Sequence, residues 1–142
     1  MNVKLRILSY SKKGKMNTFA NAIVKKYELT ANSIDVIPPA YPCNKERIVL
    51  LAVSVGGGSI PDKLRIFARE LNKQRAQNVA IYMDGSETAA NALINILKEA
   101  GTNVIEEVHY VKGGLLPMFS KITPAEETAL LEWVDRVLTK LA

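Results

Sequence analysis

The chain has 142 residues, 48% of them hydrophobic and 23% charged, with a formal net charge of +5. A domain of that length buries about 68–70% of its unfolded surface, and a composition this close to the globular average makes order the default reading, so one domain spanning residues 1–142 is expected. No apolar run approaches the ~20 residues of a membrane span and the start lacks a signal-peptide layout, which predicts a cytoplasmic protein with no membrane partner.

Residues 3–8 (VKLRIL) are mostly apolar and have the length of a strand. Beyond a loop centred on Gly14, residues Phe19, Ala20, Ile23, Val24 and Tyr27 recur at three- and four-residue intervals. That spacing predicts a helix with one face against a sheet. Residues 33–37 (SIDVI) read as a short edge strand stopped by Pro38 and Pro39, and the three prolines within 38–47 predict an extended link in place of a helix. The most apolar run, 47–55 (RIVLLAVSV), predicts a central strand buried on both faces. After Gly56, Gly57 and Gly58, Pro61 is expected early in a helix whose inner face is Leu64, Phe67, Ala68 and Leu71.

Residues 78–83 (NVAIYM) predict another buried strand, Asp84 and Gly85 a turn, and Ser86 a cap. Ala89, Leu93, Ile96, Leu97 and Ala100 then line a helix closed by Gly101. Residues 103–111 (NVIEEVHYV) mix apolar and charged side chains, as an edge strand does. Thr123, Pro124 and Glu126 form a capping-box signature. The last helix then buries Leu130, Leu131, Val134, Val137, Leu138 and Leu141, with Trp133 packed beside that stripe. The alternation predicts an α/β doubly wound three-layer sandwich: a five-stranded parallel sheet with helices on both faces, the helix between strands 2 and 3 missing.

Ligands of such sheets sit beyond the carboxyl ends of the strands, here residues 10–17, 55–59 and 83–86. The only histidine is His109 and the only cysteine Cys43, so neither a Ser-His-Asp nor a Cys-His arrangement is supported, nor an internal disulfide or a metal site. His109 reads as a structural edge-strand residue. Neither GxGxxG nor GxxxxGK[ST] is present, and Cys43 lacks the arginine of a phosphatase loop. What remains is a site of backbone N–H groups near Gly14, near Gly56–Gly58 and at the Asp84–Gly85 turn, one that binds rather than reacts; a tight turn explains the same glycines. Lys12, Lys13 and Lys15 are the one dense basic group, and with the remaining charge spread out, nucleic acid is not favoured as a partner.

The stretch YSKKGKMNTFANAI resembles the phosphate loop and first helix of flavodoxins, whose pattern is Ser/Thr-x-Thr-Gly-x-Thr after an apolar strand. Ser11 and Gly14 match, while Lys13 and Met16 stand where two hydroxyl residues are usual. The resemblance implies the strand order 2-1-3-4-5 and FMN as cofactor. Its phosphate would lie at Ser11, Lys12, Lys13, Gly14, Lys15, Met16 and Asn17. Its ring would lie between VSVGGGS (Ser54, Val55, Gly56, Gly57, Gly58) and MDGS (Met83, Asp84, Gly85). These two loops carry no aromatic residue to stack on the ring; Tyr10, Tyr41 and Tyr82 are the nearest in sequence.

The implied function is FMN-dependent electron transfer to a redox protein or a small oxidant. The alternatives are a flavin-free flavodoxin-fold interaction module and a small FMN-dependent oxidoreductase acting on quinones or NAD(P)H. With the second crossover helix missing, residues 38–43 (PPAYPC) are expected either to pack over the uncovered face or to form a partner contact, a homodimer included.

Overall fold

The computed structural model describes residues 5–10, 14–29, 34–37, 43, 46–55, 60–112 and 121–141. Along them run β1 (Leu5–Tyr10), α1 (Gly14–Lys26), β2 (Ile34–Val36), β3 (Ile48–Ser54), α2 (Asp62–Glu70), β4 (Asn78–Asp84), α3 (Glu87–Ala100), β5 (Asn103–Val104), β6 (His109–Tyr110) and α4 (Pro124–Lys140). The strands are parallel in the order β2-β1-β3-β4-β5, with β6 also paired to β4. The expected doubly wound layout is the one the chain adopts. Among the described residues no helix lies between β2 and β3.

The central strands are apolar throughout because both of their faces are covered. Along β3, Ile48, Leu50 and Ala52 point to one side and Val49, Leu51 and Val53 to the other, all fully buried. The first side is covered by α1 and α4 through Phe19, Ile23, Trp133 and Val134. The second is covered by α2 and α3 through Leu64, Ala68, Leu93 and Leu97. Each buried Val, Leu, Ile or Phe among them stabilises the fold by about 1.5–3 kcal/mol. Opposite the small Ala52 and Ala80, the rings of Phe19, Tyr82 and Trp133 fill the α1/α4 layer edge to face, with centroids 6.4 and 6.0 Å apart.

Four details differ from the expectations. Trp133 lies in the centre of the α4 face rather than beside it, since Leu130, Trp133, Val134 and Val137 form the buried i, i+3, i+4, i+7 set. Met16 belongs to the α1 core face and is 1% exposed. Pro61 is the extended residue before α2 and not its first helical one. The strand expected over 103–111 is broken in two: Asn103 pairs with Asn78, and His109 with Tyr82.

The offset between the partners thus rises from 25 to 27, an insertion of two residues on the edge. An even insertion preserves the alternation of faces, so Val104 and Val108 still meet the α2/α3 layer while Ile105 and Val111 meet the α1/α4 layer. The charges at the break explain it. Glu106 pairs with Lys98 of α3, and Glu107 with Arg136 and Lys140 of α4. The Glu107 carbonyl accepts the Trp133 Nε1–H at 2.8 Å.

The helix ends follow the sequence signals. The Ser86 hydroxyl accepts from Ala89 N–H at 3.1 Å, and Gly101 takes φ 108, the left-handed conformation that only glycine adopts without strain. Thr123 and Glu126 form the full capping box. Of the proline-rich link, the described Cys43 is buried in the α2/α3 core, where its Sγ accepts from Arg6 at 3.7 Å. Tyr41 and the remainder of 38–42 lie outside the described residues. Among the described residues no helix is long and apolar enough to cross a membrane.

Candidate functional site

Three neighbouring strands end at one level. Tyr10 of β1 is in register with Val53 of β3, Val53 with Met83 of β4, and Ser54 with Asp84. Two inter-strand spacings, about 10 Å, therefore separate the exits of β1 and β4. Because β2 lies on one side of β1 and β3 on the other, the chain reverses its direction of winding here, which opens a crevice above β1 and β3. The residues expected to bind a ligand are distributed along this rim. Gly14, Lys15, Met16 and Asn17 open α1, whereas Ser54, Val55, Met83, Asp84 and Gly85 lie at the ends of β3 and β4. Ser11, Lys12, Lys13, Gly56, Gly57 and Gly58 are outside the described residues.

The start of α1 differs from the other three. The amides of an N-cap and of the first three helical residues have no intrahelical acceptor, and among the described residues of α1 these are Gly14, Lys15 and Met16, with Asn17 the next in the turn. Carboxylates sit in the first turn of α2 (Asp62), α3 (Glu87) and α4 (Glu126, Glu127), but α1 has none. Its positive end is thus not offset by an acid of its own. The Met16 side chain packs down into the core beside Phe19, so only its main chain belongs to the rim. Lys15 reaches across to α4, with Nζ 2.7 Å from Glu126 Oε2. That hydrogen bond, joined by one from Thr123 N–H, holds the Glu126 carboxyl below its usual range.

At the other end of the rim the two turns lock together. Ser54 Oγ donates to Asp84 Oδ2 at 3.2 Å, and Val55 N–H to the Asp84 carbonyl at 3.0 Å. A Cβ on Gly85 would stand 3.0 Å from Val55 Cγ2 and 3.2 Å from Met83 Cγ, so a larger residue there would have to displace one of these side chains by a few tenths of an ångström. Met83 is fully buried in the α2/α3 core. What these turns offer a ligand is therefore the Ser54 hydroxyl, the Asp84 carboxylate and main-chain groups.

The aromatic residues are arranged differently from the expectation. Tyr82 is fully buried between Phe19 and Trp133 and cannot stack on a ligand. Its hydroxyl has no partner among the described residues, and burial raises its pKa. Tyr10 packs partly buried against the α2/α3 core. The exposed aromatic of the rim is Tyr110, 45% accessible and in register with Met83. Sequence reasoning misses it because 103–111 reads as one regular edge strand; the pair Glu106–Glu107, two acids in succession at a strand's centre, is the signal that the ladder breaks there.

His109 is half-buried and stacks on Trp133 with centroids 5.7 Å apart and planes 24° from parallel. Burial, reinforced by Arg136 and opposed by Glu107, keeps its pKa below the usual imidazole value, so the ring is neutral at pH 7. Beside it opens a cleft of about 620 Å³ between the first turns of α1 and α4. Of the residues expected to bind a ligand, Lys15 alone lines that cleft.

No family model matches the chain, and no curated protein does. Among solved structures, the flavodoxin of Streptococcus pneumoniae TIGR4 superposes with a TM-score of 0.59 over 96% of this chain and 98% of that one, at 15% identity. The chain therefore has a flavodoxin-like fold.

Proposed function

We propose that the protein binds FMN along the rim formed by the ends of β1, β3 and β4 and transfers electrons to a partner protein or a small oxidant. The observation that carries this reading is the first turn of α1: an acid-free helix start at the point where the sheet reverses its winding. A phosphate ester there meets main-chain donors and the positive end of the helix. The likeness to a flavodoxin over nearly the whole chain supports the same placement.

When bound, the flavin supplies the redox chemistry, and the protein supplies binding, orientation and electrostatics. The amides of Gly14, Lys15 and Met16 and the exposed side chain of Asn17 are assigned to the phosphate, with Ser11, Lys12 and Lys13 completing that loop. Ser54, Val55 and Gly56–Gly58 on one side and Met83, Asp84 and Gly85 on the other are assigned to the ring. Tyr110 provides an aromatic surface that both of those turns lack. The Asp84 carboxylate, held by Ser54, places a negative charge at the ring edge and disfavours added electron density there.

The test is a titration of flavin-free protein with FMN, followed by quenching of flavin fluorescence. Saturation at one equivalent is expected, with a Kd in the micromolar range or tighter, and no binding at ~100 μM overturns the reading. A specific observation favours a flavin-free interaction module instead. Lys15, the basic residue of the α1 first turn, is already paired with Glu126. The same titration separates the two readings.

A further inference from the structure

The cleft between α1 and α4 adjoins the rim just described at Lys15 and Tyr110 and extends away from the turns of β3 and β4. None of Ser54, Val55, Met83, Asp84 or Gly85 lines it. Its volume, about 620 Å³, falls within the range of small-molecule sites. Val111 and Ala129 give it an apolar wall, and Phe19, itself fully buried, closes its floor. Among the described residues that line it, the charges do not cancel. Lys15 and Glu126 neutralise each other, whereas Lys112 has no ion-pair partner among the described residues and leaves one positive charge at the cleft. The His109 ring, fixed by its stack on Trp133, lines the cleft, and its ring N–H meets no acceptor among the described residues. The capping box already occupies Thr123 N–H and Glu126 N–H, so attraction for an anion rests on the two side chains and not on the start of α4.

We propose that this cleft is a second binding site, one for a small aromatic anion such as an aryl carboxylate, whose ring lies against Phe19, Val111 and Ala129 while its charged group meets Lys112 and His109. A flat apolar body suits the wall, and a cation is disfavoured by Lys112. A neutral aromatic molecule leaves the lysine without a partner. The proposal goes beyond flavin binding and does not depend on it: Lys15 and Tyr110 border both sites, but the anion is held by Lys112 and His109, neither of which is assigned to the flavin.

The chain has one histidine and one tryptophan, so the His109 ring and Trp133 indole N–H signals are each unique in an NMR spectrum of the whole protein. Titration with 2-naphthoate is expected to shift both signals saturably, with a Kd of about 1 mM or tighter. The neutral analogue 2-naphthalenemethanol is expected to bind about tenfold more weakly, and Lys112→Gln to weaken naphthoate by a similar factor while leaving the alcohol unchanged. Ala129→Phe, at an exposed helix position, fills the cleft and is expected to abolish both.

Absence of a saturable shift in the wild type, equal affinity for the two probes, or indifference to Lys112→Gln overturns the proposal. So does displacement of naphthoate by FMN, which would make the cleft part of the flavin's own site. A protein that binds naphthoate but not FMN retains the cleft and loses the flavin reading; the reverse result retains the flavin reading and removes the cleft.

Discussion

The starts of α1 and α4 lie side by side on one face of the sheet and are built in opposite ways. At α4 the Thr123 hydroxyl accepts from Glu126 N–H at 3.1 Å, the Glu126 carboxylate accepts from Thr123 N–H at 2.9 Å, and Glu126 and Glu127 place negative charge at the positive end of the helix. At α1 the first turn has no acid, and its one cation is drawn away to Glu126. The acids at the start of α4 disfavour an anion there, and the start of α1 carries no such acid. A carboxylate three residues into a helix decides whether that helix is closed upon itself or left able to take a ligand.

The contrast is broken most severely by removing the support common to both helices. Trp133→Ala, at a fully buried position, is expected to lower stability by about 3–5 kcal/mol in urea unfolding, with loss of the cleft. Glu126→Ala removes the reciprocal cap and the Lys15 pair together, and a loss of about 1–2 kcal/mol is expected. The pH dependence has a definite sign. The folded-state pKa of Glu126 is depressed, so its contribution is present above the unfolded carboxyl value and disappears as pH falls through the folded one. The difference in stability between wild type and Glu126→Ala is therefore expected to shrink on acidification below the ordinary glutamate range.

Tyr82→Phe deletes a buried hydroxyl that lacks a partner among the described residues, and a gain of about 1 kcal/mol is expected from the shift in denaturation midpoint. The smallest change sharpens the contrast directly. Asn17→Asp gives α1 the first-turn acid that the other helices have, at an exposed position. It is expected to raise the stability of the flavin-free protein by about 0.3–1 kcal/mol and to weaken FMN by about fivefold. Unchanged affinity for FMN after this substitution would show that the phosphate does not lie at the start of α1.

Much of the fold is legible in the chain. The run from Ile48 to Val53 requires two covered faces, Ser86, Gly101, Thr123 and Glu126 mark helix ends, and the prolines at 38 and 39 argue in the sequence against a crossover helix. These signals are local, because propensity, capping and periodicity act within a few residues. The position of Trp133 at the centre of α4 is also available in principle, since 130, 133, 134 and 137 share a helical face; the neighbouring leucines draw the stripe to one side.

The candidate site is legible only in part. Gly14, Asn17, Ser54 and Asp84 are on the rim as their places after the strands require. Met16 reads as a loop residue because nothing before it shows that the helix already begins at Gly14, which turns its side chain inward.

By itself the sequence determined the alternation of strands and helices, the buried centre of the sheet and the caps, since each is set by residues adjacent along the chain. Only the tertiary structure decided that Lys15 meets Glu126, that Tyr82 is enclosed by Phe19 and Trp133, and that His109 and Lys112 share a cleft with α1. Those contacts join residues far apart in the chain, and their partners are chosen by the packing of α1 and α4 across the sheet. No local pattern contains that information.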